Sequence, residues 1–412
     1  MRVVVVGGGF GGLASATRLA KLGHEVTLVS PDLGGALRPV EQDGFTWDTV
    51  TTALLPAVLR DLFRKSGRPL ERELDLVEVP VIRSHRFPDG STLDVPGGSR
   101  AAQLAALGEP YVDYVASYGE TWELLRRHVF EAHTSAPPRE VTDLLRGREM
   151  LHRRLRASFR DSRLRQLAGH PFELAGHALR DVPAWAGLTA YLEQRFGAWR
   201  PEGGMAALAE RLVDRLATRG VTVVGQAADD LLVRAGRVAA VRTGAGELDA
   251  DAVVVAVDPR RLASLASYTT STMPAIPPAI VHLGLTGEVP DLPAELVLHG
   301  DPMLVVRPTS RHSWTVLVRG RLQEDVLVAL ARHRVDVRKQ VVSRVDLSPA
   351  DLVRRWRGSP AGVRWQGRST RRLGPLTPIP GVYAAGAHAV GGDGLPFVGL
   401  SAALVAAEIG PA

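Results

Sequence analysis

The sequence contains no cysteine among its 412 residues. This absence excludes a disulfide scaffold, a thiolate nucleophile and a zinc site with cysteine ligands. The 12 histidines are scattered along the chain, and none forms a pair at metal-ligand spacing beside a carboxylate motif. We therefore predict no metal site.

Lysine is almost absent as well. It occurs only as Lys21, Lys65 and Lys339, so nearly all of the basic residues are arginine, and the formal net charge is +6. A basic balance can indicate binding to nucleic acid or to an anionic membrane, but no nucleic-acid motif accompanies the charge. We therefore expect no nucleic-acid partner and assign the arginines to solvated faces.

Long apolar runs are also missing, since no stretch approaches the roughly 18 residues of a membrane span. The chain starts with Met1 and Arg2 and runs directly into VVVVGGG, a strand and a loop rather than the apolar part of a signal peptide. These features predict a cytoplasmic protein. The amphipathic stretch over residues 53–65 leaves two alternatives, a helix packed on its own domain or a lip that makes peripheral contact with a membrane.

The N-terminal residues carry a nucleotide-binding pattern. Residues 3–6 form a short apolar run, which is typical of a buried parallel strand. Gly7, Gly9 and Gly12 follow at G-x-G-x-x-G spacing, and a helical pattern comes next. In this pattern Gly7 makes the tight turn, Gly9 lets backbone approach a pyrophosphate, and Gly12 lets the helix pack close to the strand. With a second strand at residues 25–29, this region predicts a βαβ unit.

Two later regions complete a nucleotide domain. Residues 204–259 predict a helix, a strand and a β-meander, and residues 381–410 predict a strand, a glycine-rich loop and a helix of small residues. The simplest architecture is an α/β fold in which a Rossmann-like domain in three segments carries an inserted α+β substrate domain. We predict residues 1–70, 200–270 and 365–412 for the first domain, and residues 71–199 and 271–364 for the second.

Four stretches stand out in this order along the chain: GGGFGGLASATRLAKLGHEVTLVS, LGGALRPVEQDGFTWDT, LDADAVVVAVDP and PGVYAAGAHAVGGDGLPFVGLSAALVAAEIG. Together they resemble the FAD-dependent phytoene desaturase-type oxidoreductases of the flavin amine oxidase superfamily. The resemblance covers both ends and the middle of the chain. It implies an FAD-dependent oxidoreductase of carotenoid or isoprenoid metabolism.

The resemblance also implies the residues of an FAD site. They come from the first turn, the second glycine pair, the strand region near the adenine and the C-terminal segment: Gly7, Gly9, Phe10, Gly11, Gly12, Gly34, Gly35, Arg38, Ala228, Gly386, Ala387, Leu395, Phe397 and Val398. His388, in the same C-terminal segment, is the candidate catalytic base, and a structural role is its alternative.

The end of the second strand departs from the family pattern. Ser30 stands where the family has a ribose-binding glutamate, the following connection is two residues short, and Ala36 replaces an arginine. Ser30 can hydrogen-bond a ribose hydroxyl without a charge-assisted bond. Asp32 can reach the ribose from the shortened loop, or it is a plain turn residue. NADP is the other interpretation of the missing acid, but the C-terminal flavin motif favours FAD.

The segments that the resemblance places at the flavin are apolar. They supply Trp47, Val50 and Leu54 as pocket residues, together with the apolar side chains of residues 392–398, and they contain only two acids and no basic residue. Such a wall predicts an apolar polyene or isoprenoid substrate that is desaturated, saturated or isomerised by hydride transfer to or from the flavin.

Two alternative functions remain. An amine or amino-acid oxidase is one, but amine-oxidising members of the superfamily commonly place a lysine beside the flavin. Lys21 lies on the first predicted helix, Lys65 ends the next amphipathic helix, and the neighbours of Lys339 predict an exposed position, which disfavours this function. The other alternative is a degenerate flavin fold that serves as a binding protein.

The missing ribose carboxylate leads to a first testable prediction. Ser30→Ala and Asp32→Ala each remove one side-chain partner of the ribose, so at least one of them should weaken FAD binding by about 1–3 kcal/mol. Titration of the apoprotein with FAD measures the loss. Unchanged affinity in both variants would mean that backbone or solvent holds the ribose.

Overall fold

The computed structural model describes residues 1–132 and 137–412. Within these residues the strands are, in chain order, β1 (Arg2–Val6), β2 (Glu25–Val29), β3 (Val40–Gln42), β4 (Phe45–Trp47), β5 (Ala53–Leu54), β6 (Leu76–Val79), β7 (Val81–Arg86), β8 (Thr92–Pro96), β9 (Ala198–Pro201), β10 (Thr222–Val224), β11 (Ala228–Arg234), β12 (Arg237–Thr243), β13 (Gly246–Asp249), β14 (Ala252–Val255), β15 (Ala279–Leu285), β16 (Leu296–Leu298), β17 (Met303–Ser310), β18 (Ser313–Arg319), β19 (Val341–Leu347) and β20 (Val382–Ala384).

The α-helices of the same residues are α1 (Phe10–Lys21), α2 (Ala57–Ser66), α3 (Arg100–Leu107), α4 (Glu109–Ala116), α5 (Gly119–Leu125), α6 (Arg139–Leu145), α7 (Leu151–Ser158), α8 (Ser162–Leu174), α9 (Thr189–Phe196), α10 (Gly204–Thr218), α11 (Ala263–Ala266), α12 (Val326–Arg332), α13 (Pro349–Arg355) and α14 (Leu395–Ile409). Single 3₁₀ turns lie at Gly35–Leu37, Leu70–Arg72, Ala184–Leu188, Pro259–Arg261 and Ser267–Thr269, and a π turn lies at Arg126–Phe130.

A parallel sheet with the strand order β10-β2-β1-β14-β20 forms the centre of the nucleotide-binding part. Side chains alternate between its faces. Val3 and Val5 of β1 pack in a core with α1, α10 and α14, whereas Val4 and Val6 pack against the antiparallel meander β11-β12-β13. All four valines are at most 3% exposed, which explains the continuous apolar run.

The strands of this sheet come from residues 2–29, 222–255 and 382–384. Three separate pieces of the chain therefore meet in one Rossmann-like sheet, and the predicted α/β fold class is confirmed. The exact domain boundaries stay a prediction.

A seven-stranded sheet joins the two inserted segments. Its order is β19-β15-β18-β17-β16-β7-β8, so strands from residues 81–96 pair with strands from residues 279–347. The β7–β16 pair is parallel, and every other pair of neighbouring strands in this sheet is antiparallel. In the first insertion, β6 pairs with β9 in a separate three-stranded sheet of order β5-β9-β6. The helices of this insertion surround an aromatic core that contains Tyr111, Tyr114, Tyr118, Trp122, Phe130 and Phe159.

The stretch predicted as one helix over residues 53–65 is divided in two. Ala53 and Leu54 form β5 and pair with β9, and the helix α2 starts only after Pro56. The apolar face of α2, with Leu59, Leu62 and Phe63, is buried in the core that also contains α1 and α14. This burial supports the packing alternative, and peripheral membrane contact stays a prediction. Across the described ranges, no helix combines the length and the hydropathy needed to cross a bilayer.

The buried histidines lead to a prediction about pH. Burial lowers the pKa of His85, His170, His177, His282, His299 and His388, and it brings four of these values to about 4. The unfolded chain binds protons at the ordinary histidine pKa of about 6.5, so it takes up more protons than the folded chain between pH 6.5 and 4. The free energy of unfolding should therefore fall steeply as the pH is lowered through this window.

One variant tests the cause. His282 is fully buried, lies 3.0 Å from the Thr315 hydroxyl through Nδ1, and stacks on Trp47. His282→Gln removes one of the protonating groups. Urea unfolding at a series of pH values should show a slope smaller by about one proton than that of the parent protein. An unchanged slope would exclude His282 as a contributor.

Candidate functional site

A cavity of about 480 Å³ opens at the carboxyl ends of the parallel strands. Its wall includes the loops that leave β1, β2, β14 and β20, beginning at Gly7, Ser30, Ala256 and Gly386. Open α/β sheets bind their ligands at this edge. The opposite wall comes from β7, β15, β17 and β18 of the seven-stranded sheet and from α8, α9 and α13.

The turn after β1 depends on glycine at two positions. Gly7 has a φ of +112°, which L side chains rarely adopt, and a Cβ on Gly12 would lie 1.8 Å from the carbonyl oxygen of Gly7. Helix α1 can therefore begin directly against β1 only with these residues. A Cβ on Gly9, in contrast, would meet no atom within 4 Å. Gly9 caps α1 without a side-chain hydrogen bond, so the first amides of the helix are free for an anion.

The second glycine pair lies directly against this turn. The Gly34 N–H donates to the carbonyl of Gly8 at 2.7 Å, and a Cβ on Gly35 would lie 2.9 Å from the Cα of Gly9. The two glycine motifs, separated by a helix and a strand in sequence, thus form one backbone surface beside the open space at Gly9.

The C-terminal segment completes this surface. A Cβ on Gly11 would lie 2.9 Å from the Cα of Gly386 and 3.2 Å from a methyl group of Val398. The Ser401 hydroxyl accepts the Gly386 N–H at 2.9 Å and donates to the Val398 carbonyl at 2.7 Å, which fixes the loop on α14. Backbone surrounds a space that side chains would fill, as a pyrophosphate and a ribityl chain require. The residues present therefore fit FAD.

The loop at the ribose end is folded back on the first turn. The Ser30 hydroxyl donates to the carbonyl of Asp32 at 2.6 Å, and a Cβ on Gly8 would lie 2.2 Å from the same carbonyl. The Asp32 carboxylate is 66% exposed, and its nearest cation, Nη1 of Arg38, lies 3.9 Å away. The serine hydroxyl is thus engaged within the loop, whereas the carboxylate of Asp32 is accessible to a ribose.

Most of the predicted site residues line the cavity: Gly7, Gly9, Phe10, Gly11, Ser30, Asp32, Gly34, Gly35, Val50, Leu54, Gly386, Ala387, His388, Leu395 and Val398. Gly12 and Arg38 lie outside its wall. Gly12 provides the close contact between helix and strand, and the stem of Arg38 covers Gly34.

Trp47, expected as a pocket residue, is not one. Its side chain is fully buried, its indole Nε1 donates to the carbonyl of Leu283 at 2.9 Å, and its ring stacks on His282. Trp47 therefore fastens the β3–β4 hairpin to the seven-stranded sheet. The next residue, Asp48, accepts a hydrogen bond from the Met205 backbone at the start of α10, and burial raises the pKa of its carboxyl.

Ala228 and Phe397 also differ from their predicted places. Ala228 is the first residue of β11 and is buried under the meander, where it pairs with Thr243. Phe397 packs on Phe130 in the helical insertion at a ring distance of 5.2 Å. Leu395 and Val398 are three residues apart on α14, so they lie on the same side of the helix, which faces the cavity. Phe397 lies on another side of the helix and points away from the cavity.

His388 lines the cavity and is 7% exposed. Its Nε2 lies 3.6 Å from a carboxylate oxygen of Asp258 and has no hydrogen-bond partner among the described residues. Burial lowers the pKa of His388 to about 4, although Asp258 opposes this. The imidazole is therefore neutral at neutral pH. Asp258, which follows β14 and binds Arg260, was not identified from the sequence.

The sequence also did not reveal a cluster of charges in the opposite wall. Arg83, Glu193, Glu295 and Arg307 line the cavity, and we refer to them as the Arg–Glu group. Arg83 donates to both carboxylate oxygens of Glu193 at 2.7 Å, and Nε of Arg307 donates to Glu295 at 2.5 Å. Arg83 Nε lies 3.9 Å from Glu295 and links the two pairs.

The two arginines determine the ionisation of this group. Burial opposes the charge on Glu295, but Arg307 and Arg83 hold the pKa of its carboxyl well below the ordinary value. A single charged residue within a run of apolar, strand-forming residues can indicate a buried charge in a sequence. Here the runs are VIRS for Arg83 and LVVRP for Arg307. That signal does not tell which distant charge is the partner.

Aliphatic side chains form a large part of the remaining opposite wall: Ile82, Pro171, Leu174, Pro277, Pro278, Ile280, Leu317 and Leu352. His170, Arg355, Trp356, Arg357 and Ser359 also line it. All three lysines are exposed, and none lies in the wall.

Comparison with known proteins identifies the fold and the relatives. A family model described as flavin containing amine oxidoreductase matches residues 10–409. The flavin in this description confirms the predicted cofactor. The chain is 33% identical over 281 residues to a zeta-carotene-forming phytoene desaturase from Myxococcus xanthus, and this match covers 62% of this chain and 53% of that protein. It is 34% identical over 283 residues to a hydroxyneurosporene desaturase from Cereibacter sphaeroides, with coverages of 63% and 57%.

The matches to these curated relatives thus span little more than half of their length. Solved structures match over almost the whole chain at low identity. An oxidoreductase from Methanosarcina mazei superposes with a TM-score of 0.66 at 19% identity, covering 98% of this chain and 99% of that one. Cyclohexylamine oxidase from Brevibacterium oxydans superposes with a TM-score of 0.65 at 16% identity, covering 99% of both chains. These likenesses show the fold.

The open space at Gly9 can be tested by filling it. Gly9 has an extended backbone with a φ of −72°, so Gly9→Ala should leave the stability of the apoprotein unchanged. The added methyl group would enter the path of the pyrophosphate, and we expect FAD affinity to fall roughly tenfold or more, within the 1–3 kcal/mol typical of overpacking.

Gly225→Ala is the matched control, because a Cβ there also meets no atom within 4 Å and Gly225 is not part of the cavity wall. Thermal unfolding of the apoproteins and titration with FAD are the two measurements. Equal FAD affinity in all three proteins would show that the cofactor does not cross the first turn at Gly9.

Proposed function

The chain belongs to the family of flavin containing amine oxidoreductases, and from this premise we propose that it is an FAD-dependent oxidoreductase of the desaturase type. Its substrate is an apolar polyene or isoprenoid-like chain, which it desaturates, saturates or isomerises. The two relatives that are 33% and 34% identical are named as desaturases, which supports this reaction class.

The aliphatic wall is the observation that carries the proposal. Isoleucine, leucine and proline side chains from β7, α8, β15, β18 and α13 face the cavity that also contains the glycine surface. Such a wall gains free energy by burying hydrocarbon, at about 25 cal/mol for each Å². It also excludes water from the reacting carbon atoms.

The chain's own residues position and shield the reaction. FAD, when bound, accepts or donates the hydride. The first amides of α1 and the backbone at Gly9 would hold its pyrophosphate, and the N-terminal end of α14 would favour negative charge on a flavin bound beside it. The neutral imidazole of His388 is available as a proton acceptor at the cavity wall.

The charges at the cavity argue against an amine substrate. A protonated amine needs a free carboxylate or an aromatic cage. Glu193 and Glu295 are held by arginines, and Asp258 is held by Arg260. Of the other acids in the wall, Asp32 lies at the ribose end, and burial raises the pKa of the Asp393 carboxyl, which disfavours its charged form. Phe10 and Trp356 are the aromatic side chains in the wall among the described residues.

The FAD-loaded protein should convert a linear polyene or isoprenoid in detergent or lipid dispersion and should leave amines and amino acids unchanged. Product analysis by chromatography, alongside the absorbance of the flavin under anaerobic conditions, measures both. Turnover of amines or amino acids with no reaction of any isoprenoid would overturn the proposal.

A cavity-filling variant links the activity to the aliphatic wall. Ala175 lines the cavity at the end of α8, so Ala175→Trp should reduce turnover of a long chain at least tenfold without changing flavin content. Ala217→Trp, on the exposed side of α10, is the control and should retain full turnover. Equal rates in the two variants would place the substrate elsewhere.

A further inference from the structure

The Arg–Glu group is a charged cluster among the aliphatic side chains of the opposite wall, and the proposed function gives it no part in binding the substrate. Two arginines face two glutamates, and burial lowers the pKa of the neighbouring His170. His170 lies 3.6 Å from Glu295 and also lines the cavity. The cluster is therefore neutral as a whole. The cluster itself thus offers no net charge to balance an anionic or a cationic ligand beside it. Arg355 and Arg357 also line the cavity but are not part of the cluster.

Arg307 retains donors that the protein does not use. Its Nε donates to Glu295 at 2.5 Å, and its Nη1 donates to the carbonyl of Thr49 at 3.3 Å. A guanidinium carries five N–H groups. In the part of the chain that the structure describes, Nη2 of Arg307 has no hydrogen-bond partner.

Arg83 also has a donor without a hydrogen-bond partner among the described residues, its Nε, but that atom is buried and does not reach the cavity. Both terminal nitrogens of Arg83 are held by Glu193, and its side chain is 9% exposed. The side chain of Arg307 is 20% exposed and lies in the cavity wall. Arg307 therefore presents N–H groups to whatever occupies the cavity.

A pure hydrocarbon in this cavity would displace water from Arg307 and leave buried donors without acceptors, which is unfavourable. A hydroxyl or carbonyl oxygen at the same place would accept a hydrogen bond without adding a charge. We propose that Arg307 recognises a neutral oxygen function on the substrate, so that the substrate class is an oxygenated apolar chain. This inference rests on the proposed function, because it refines the substrate of the same cavity.

The experiment measures binding to the FAD-loaded protein rather than turnover. Three ligands are compared in the same detergent: geranylgeraniol, the corresponding hydrocarbon without the hydroxyl group, and geranylgeranoic acid. Quenching of tryptophan fluorescence measures the binding of each ligand. The parent protein should bind the alcohol about tenfold more tightly than the hydrocarbon, equivalent to about 1.4 kcal/mol. It should bind the acid more weakly than the alcohol at neutral pH.

Arg307→Met should abolish the preference for the alcohol, because it removes the donors and keeps an apolar stem. Arg307→Lys should retain part of the preference. Since the methionine variant leaves Glu295 with one arginine fewer, the charge-balanced double change Glu295→Gln with Arg307→Met provides a second version of the same test. Arg344→Met is the control, because Arg344 pairs with Asp325 and Asp346 outside the cavity wall.

The outcomes separate the two proposals. Equal or tighter binding of the hydrocarbon by the parent protein would overturn the role of Arg307, and so would a preference that survives both methionine variants. Strongest binding of the acid would replace the neutral oxygen by a carboxylate. If no isoprenoid ligand binds and amines are oxidised, the proposed function itself fails and the inference falls with it.

Discussion

The close approach of backbone to backbone around Gly9 is the constraint on which the rest of the site depends. Helix α1 begins against β1 because Gly12 has no Cβ to meet the carbonyl of Gly7. The same closeness brings Gly35 and Gly386 to the edges of the turn. Chain segments separated by hundreds of residues therefore share one surface of amides and α-carbons, with open space where a dinucleotide backbone fits.

The opposite wall follows a different physical rule. A large part of it is aliphatic, and such a surface discriminates poorly between hydrocarbons of similar shape. The Arg–Glu group adds direction to this surface, because hydrogen bonds to a guanidinium require an acceptor at a particular place. Its internal charge balance allows the group to remain buried, and the mutual pairing keeps Glu295 ionised at neutral pH. The cavity thus combines a non-directional apolar surface with directional polar contacts, of which the free N–H groups of Arg307 are one.

The seven-stranded sheet connects these two sides. It takes two strands from the first insertion and five from the second, so neither insertion can form the wall alone. Trp47 ties the sheet to the hairpin that follows the second glycine pair, through its bond to Leu283. The position of Arg307 relative to Gly9 consequently depends on packing between the two parts of the chain, although each part has its own core.

Local pattern alone was sufficient for the nucleotide-binding half. A run of valines, glycines at fixed spacing and an amphipathic helix are all short-range features, and each has one physical interpretation. For that reason the parallel sheet, its three segments and the turn at Gly7, Gly9 and Gly12 were predictable from the sequence. The resemblance to a known family added FAD and the C-terminal segment.

Tertiary structure alone decided the direction of individual side chains and the pairing of distant charges. Trp47 and Phe397 lie in the expected segments but face other cores, since neighbouring residues on a strand or a helix point to different sides. Arg83 meets Glu193, and Arg307 meets Glu295, only after strands and helices from both insertions have packed together. A single sequence contains the charges but not their partners, because an ion pair forms through space and has no fixed spacing along the chain.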